Sequence, residues 1–390
     1  MITKFDDLCN EQQINPLDPT DDDLNKLINW CESTISTDLH LQGNLQDRFD
    51  YYKALATGFL TNFQPNIKAD KLTEPVALFD NMTALQVIVY AGLDIYLKAL
   101  HPSPKEVNTK IGEINLLHLS AVRGNLHTIE ALLSLGAKPL ENILFASLML
   151  PINHDEDMIK NKQAIYVLLS NLAKNLLQER NESGDTILHA MAVYGYKKLI
   201  EDTLVHSKEL ASISNNATRY PIHSAILNSQ DECVKVLAAV PGVEKLTDSK
   251  GRNALHYAAK YDDKNMVAIC LHTPIAKDSI DKRRQTPLML ATIANNHSAI
   301  RELIDFGVQV NLTDDARRSA LHYAVEANNL ASVELLLAVP GINVNLSDDN
   351  SAYPLDLIDP GTPVGDKISE LLIEQGAVLA PKKSTPRIDS

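Results

Sequence analysis

Two apolar patterns recur together along the chain. A short segment opens on a polar or aromatic residue, often followed by proline, and sets one branched apolar side chain inward: Leu188, Ile222, Leu255, Leu288, Leu321 and Leu355. A second segment carries apolar residues at helical spacing: Ile129, Leu132 and Leu133; Val234 and Leu237; Ile300, Leu303 and Ile304; Val333, Leu336 and Leu337. Residues three and four apart share a helix face, so the spacing predicts paired helices with one buried side. Small residues in the first segment (Ala192, Ala258, Ala259, Ala291, Ala324) allow neighbouring helices to approach closely.

The pairs keep a fixed period. Openings at Thr186, Tyr220, Asn253, Thr286, Ser319 and Tyr353 are separated by 34, 33, 33, 33 and 34 residues, and Thr83 and Asn115 by 32. Thr, Ser or Asn at the opening can cap a helix, and Pro221, Pro287 and Pro354 suit its first residue, where no N–H is needed. Gly136 and Gly307 fall where the second helix should end in a left-handed cap. Asp248, Asp281, Asp314 and Asp348 each stand five residues before an opening, where a carboxylate can fix a turn by bonding its own downstream backbone. The period and the Thr-Pro-Leu-His-x-Ala pattern, as in Asn253-Ala-Leu-His-Tyr-Ala, resemble the ankyrin repeat. The resemblance covers most of the chain. It implies an all-α solenoid of about eight or nine repeats with short β-hairpin fingers, acting in protein–protein recognition.

The ends and one interior stretch depart from the period. Residues 1–76 read as a helical N-terminal cap or small accessory domain, with Phe49, Tyr52, Phe59, Leu60 and Phe63 along one stripe. Solenoid ends need such covers; an effector domain with its own activity is the alternative. Repeats fill 77–380. Asn115 and Thr186 lie 71 residues apart, about five more than two periods, so a degenerate copy opening at Asn142 is expected, with an insertion near 151–160. In the last copy a short first helix precedes Asp359-Pro-Gly-Thr-Pro363, and a final helix is expected over Ile368–Gln375. Residues 381–390 form a polar tail.

Charge and composition narrow the classes. A net charge of −14 argues against generic nucleic-acid binding, which requires phosphate neutralisation. Four scattered cysteines (Cys9, Cys31, Cys233, Cys270) form no zinc-like group and fit a reducing compartment. No apolar run is long enough to span a membrane, and the start lacks a signal-peptide core. A soluble monomer is expected. The polar tail, the drift of the repeats and the abundance of Asn, Ile and Lys resemble effectors that intracellular bacteria pass into host cells, implying a bacterial cytoplasmic origin, secretion and a host protein partner.

Five histidines, His118, His189, His223, His256 and His322, share one repeat position, where the family resemblance implies bonds to adjoining loops. No cofactor or metal site follows from them, and no catalytic signature is present. The chain is read as no enzyme; a Cys31–His40 pair in the N-terminal segment is the alternative. In the ankyrin family, partners meet the finger tips and the exposed side of the first helix. Those positions hold Arg219; Ser249, Lys250, Arg252, Lys260 and Tyr261; Lys282 and Arg283; and Arg318, with Tyr194 as a further aromatic anchor. Positive charge on adjacent fingers of an acidic chain suggests a partner with an acidic surface. Arg219, Arg252, Arg283 and Arg318 are expected to form an exposed row, each tolerating charge reversal.

Overall fold

The computed structural model describes residues 75–76, 82–92, 94, 97, 102–110, 114–148, 156–172, 174–261, 264–359 and 361–381. The N-terminal stripe, Cys9, Cys31 and His40 lie outside the described residues, as does most of the tail. The chain divides into two compact units between Glu179 and Arg180.

In the first unit, β1 (Pro75–Val76) pairs antiparallel with β2 (Met82–Thr83). The helices are α1 (Ala84–Ala91), α2 (Pro104–Val107), α3 (Leu116–Arg123), α4 (Leu126–Ser134), α5 (Ile143–Leu148) and α6 (Glu156–Leu172). α1, α3 and α5 pack in sequence, and α4 packs on α6. The stretch read as a degenerate copy carries α5 and α6. Asn142, however, takes a left-handed φ of 63° instead of the extended conformation of a cap. Lys162 of α6 is fully buried, and its Nζ donates to the carbonyls of Ala121 (2.7 Å), Val122 (2.7 Å) and Ala146 (3.1 Å). It thus ties two last-turn carbonyls of α3 to one of α5, with Ala121 O also accepting the Gly124 N–H at 3.2 Å. Burial, with the Arg123 guanidinium nearby, pushes this ammonium down to about 7.

The second unit is a stack of helix pairs: α7 (Ile187–Tyr194) with α8 (Lys197–His206), α9 (Pro221–Leu227) with α10 (Asp231–Ala238), α11 (Ala254–Lys260) with α12 (Lys264–Leu271), α13 (Pro287–Ile293) with α14 (His297–Asp305), and α15 (Ala320–Glu326) with α16 (Leu330–Leu337). A 3-10 turn at Pro354–Leu357 and α17 (Pro363–Glu374) complete it. Each first helix packs on the next first helix and each second helix on the next second helix, the relation expected of a solenoid. Leu188, Ile222, Leu255, Leu288, Leu321, Val234, Leu237, Ile300, Leu303, Val333 and Leu336 are all buried between layers, while Leu133, Ile304, Leu337 and Leu355 are only half-buried. The final helix starts five residues earlier than the apolar spacing suggests. Thr362 accepts from the Gly365 N–H at 3.0 Å and Pro363 takes the first helical position, so the proline starts the helix instead of breaking it.

Six fingers precede the first helices, built on one plan. An Asx side chain accepts two backbone N–H groups, from residues two and four further on: Asn181, Asn215, Asp248, Asp281, Asp314 and Asp348, with distances of 2.8–3.0 Å. The third residue after each Asx is left-handed: Gly184, Thr218, Gly251, Arg284, Arg317 and Ser351. The fingers are thus tight turns, each closed by a backbone bond such as Asp281 N to Gln285 O at 2.9 Å, and not paired strands. Besides β1 and β2, the only bridge among the described residues joins Arg180 and Thr186. Neighbouring fingers are stitched by Asn216 N to Ser183 O (3.0 Å), Lys282 N to Lys250 O (2.8 Å), Asp315 N to Arg283 O (3.0 Å) and Asp349 N to Ala316 O (3.1 Å).

At Arg284 the side chain is exposed and φ is +57°, a conformation costing a non-glycine residue about 1 kcal/mol or more. Arg284→Gly is expected to raise stability by about 0.5–1 kcal/mol after the larger chain entropy of glycine is offset. An unchanged or lower urea midpoint would show that Arg284 makes a compensating contact.

Candidate partner-binding face

Three of the five histidines, His118, His189 and His256, link one repeat to the next. Backbone N–H groups of Thr186 (3.1 Å), Tyr220 (3.2 Å), Asn253 (3.3 Å) and Ser319 (3.1 Å) point at Nδ1 of His189, His223, His256 and His322. This is the place a glutamate takes in a capping box. Accepting at Nδ1 leaves the proton of His189 on Nε2, which donates to the Arg219 carbonyl (2.9 Å); His256 Nε2 lies 3.0 Å from the Gln285 carbonyl, while its Nδ1 also meets the Asn253 amide oxygen at 2.6 Å. In the first unit His118 Nε2 meets the Glu141 carbonyl at 2.8 Å. Burial lowers the pKa of all five, to about 4 at His223 and His256. Among the described residues no group of three His, Cys, Asp or Glu side chains could hold a metal ion. Cys233 and Cys270 are buried, and burial pushes their thiols up to about 11 and about 12.

A second linkage runs through the residue just before four of the openings, Arg219, Arg252, Gln285 and Arg318. Arg252 Nε lies 3.2 Å from Asp281 Oδ2, and these side chains are only 18% and 2% exposed. Arg318 pairs with Glu326 at 2.7 Å and lies 3.6 Å from Asp348, which is 1% exposed. At the same position Gln285 donates to the Tyr323 hydroxyl (3.3 Å), which donates to Asp314. Arg219 lies beside Tyr257, whose hydroxyl donates to Asp248 at 2.9 Å. Each of these residues thus reaches the Asx of the following finger, directly or through a tyrosine. The expected row of exposed arginines is corrected accordingly: Arg283 is exposed, whereas Arg219, Arg252 and Arg318 are half-buried and tied into this ladder. A side chain just ahead of the cap points along the stack, where the next finger's carboxylate waits.

The remaining cations lie on the surface. Lys250, Lys260, Lys282, Arg283, Arg284 and Arg317 are exposed, and none is ion-paired among the described residues. Six of the residues singled out from sequence, Arg219, Ser249, Lys250, Arg252, Lys260 and Tyr261, line one polar cleft of about 150 Å³ between the fingers at 215–219 and 248–252 and the end of α11. His223, Tyr257 and Tyr261 form a column of stacked rings beside it, with centroids 4.5 and 6.4 Å apart, and Lys260 Nζ sits 5.4 Å from the Tyr261 centroid. Lys282 and Arg283 project from the next finger. Tyr194 holds the register position of Tyr261 two repeats earlier, beside Tyr196 (centroids 6.2 Å apart), and does not line the cleft.

Stacked helix pairs with stitched finger turns define a helical-repeat scaffold, whose histidines serve its internal bonding. The model described as ankyrin repeats (3 copies) matches residues 204–274 and 255–348. Ankyrin repeats are thus present over residues 204–348 of the chain. The chain is 26% identical over 199 residues to the nuclear factor NF-kappa-B p105 subunit of Gallus gallus, covering 49% of this chain and 20% of that protein. It is 28% identical over 162 residues to the neurogenic locus notch homolog protein 1 of Danio rerio, covering 41% and 6%. The chain therefore matches a fifth or less of the length of these two relatives. Its fold is similar to the crystal structure of the ankyrin repeat domain of Bcl-3, with a TM-score of 0.50 and 20% identity over 66% of this chain and 97% of that one.

Proposed function

We propose that the chain is a non-catalytic protein-interaction scaffold whose second unit holds a protein partner through its finger tips and the exposed side of its first helices. The observation that carries this reading is the division of labour among the cations. Those just ahead of each opening bind the scaffold together, while Lys250, Lys260, Lys282 and Arg283 remain exposed in an otherwise acidic chain. Exposed cations beside a stacked tyrosine column suit a partner with acidic and apolar residues side by side. No helix among the described residues is long and apolar enough to cross a membrane. The finer reading, a secreted bacterial effector acting on a host protein as a monomer, is supported by the drift and composition of the repeats.

The test uses Lys282→Glu with Arg283→Glu, two tip residues outside the ladder. The urea midpoint should hold, since exposed substitutions change stability by no more than about 0.5 kcal/mol. Association with a partner captured from lysate should slow, and wild-type binding should weaken as salt rises. Normal association of the double variant at low salt would move the contact off these fingers.

A further inference from the structure

The cleft at the fingers 215–219 and 248–252 differs from the rest of the face in charge balance. Its described lining carries four cations, Arg219, Lys250, Arg252 and Lys260, and one carboxylate, Asp248. That carboxylate is already engaged: Oδ1 accepts the Lys250 and Arg252 N–H groups at 2.8 and 2.9 Å, and Oδ2 accepts the Tyr257 hydroxyl. Asp281 neutralises Arg252 through Nε, leaving the other guanidinium N–H groups of that residue for a further acceptor. Counting both carboxylates, two positive charges in the described surroundings stay uncompensated. One carboxylate ligand would leave half of that charge unmatched. A phosphoryl group brings about two negative charges and three acceptor oxygens, within the reach of guanidinium and ammonium donors. The cleft, at about 150 Å³, is roomy enough for such a group but not for a nucleotide, and its opening sits beside the exposed Tyr261 ring.

We infer that this cleft receives the phosphoryl group of a phosphorylated side chain on the protein partner, with Lys250 and Lys260 as the mobile clamps and the ladder-held Arg252 and Arg219 as the fixed floor. The inference rests on the scaffold reading and names one chemical feature of its partner. It also gives a role to Tyr261, whose exposed ring, stacked on the buried Tyr257, offers an apolar surface to the peptide that carries the phosphate.

The test titrates the full chain with inorganic phosphate, with an acidic peptide bearing one phosphoserine, and with the same peptide carrying serine or glutamate instead, all at constant ionic strength. The phosphopeptide should bind at least about tenfold more tightly than the serine form, and more tightly than the glutamate form or inorganic phosphate. In Lys250→Ala with Lys260→Ala, which spares the ladder, that advantage should shrink to about twofold or less while the urea midpoint stays unchanged. Equal binding of the phosphoserine and glutamate peptides would overturn the inference in favour of a carboxylate site. Inorganic phosphate binding as tightly as the phosphopeptide would reduce the cleft to a free-anion site. If a captured partner binds equally before and after phosphatase treatment, the scaffold reading stands and the phosphoryl site falls. Tight phosphopeptide binding with no partner at the tips would do the reverse.

Discussion

Arg252→Glu should lower stability by about 2–4 kcal/mol, whereas Arg283→Glu on the next finger should change it by no more than about 0.5 kcal/mol. The two residues occupy neighbouring finger tips and look interchangeable in sequence. Arg252 Nε lies 3.2 Å from an Asp281 carboxylate that is 2% exposed, while Arg283 is open to solvent. Removing one member of a buried pair leaves the other charge without its counterion, and glutamate adds a like charge beside it. Asp281 would keep its bonds from Arg283 N and Gln285 N, so the loss is confined to the charge facing the previous repeat. Urea denaturation of both variants reads the difference directly. A midpoint for Arg252→Glu as high as that of Arg283→Glu would show the ladder to be a surface ornament.

The protein should also lose stability steeply on mild acidification. A histidine held neutral by burial has a folded pKa below the value near 6.5 of the unfolded chain. Between those two values the unfolded chain binds more protons, so stability is complete above about pH 6.5 and drains away as pH falls towards the folded values. For His223 and His256, lowered to about 4, the expected loss is about 3 kcal/mol each by about pH 4. Asp248 faces His223 and Asp281 faces His256, and both favour the charged ring, but burial outweighs them. Urea midpoints from about pH 7 to about pH 4.5 should fall in wild type and fall less steeply in His256→Gln. A level midpoint in wild type across that window would mean that the rings titrate as exposed groups.

How far the sequence could be read depends on the range of each interaction. Helix pairs, caps and the inward Leu or Ile depend on neighbours three to four residues away, and the period multiplied that signal six times. The finger turns were legible at the four aspartates. Asn181 and Asn215 make the same two bonds with an amide oxygen, so tracking Asp alone missed a third of the set. The apolar spacing starts the final helix at Ile368, whereas Thr362 caps it and Pro363 opens it, a signal masked by the preceding Asp359-Pro-Gly. The ladder is a long-range fact: Arg252 meets Asp281 and Arg318 meets Asp348, 29 and 30 residues on, so an arginine there resembles any solvated tip until the fingers are stacked. Lys162 carries no signal at all, since its carbonyl partners lie 16 to 41 residues away and belong to the backbone.

The direction of the ladder bears on how such a chain can be recombined. Arg252, Gln285 and Arg318 all reach forwards, each serving an acid that belongs to the following repeat. A segment cut at the period therefore carries away its own aspartate but strands the cation that neutralised it. The natural cassette for grafting is a repeat joined to the finger after it, and a swapped block closes cleanly only when the recipient supplies the matching cation upstream. Exchange of the block from Asn253 to Arg284 alone would seat a foreign side chain opposite Arg252, whereas a block running from Arg252 to Gln285 keeps the Arg252–Asp281 pair intact.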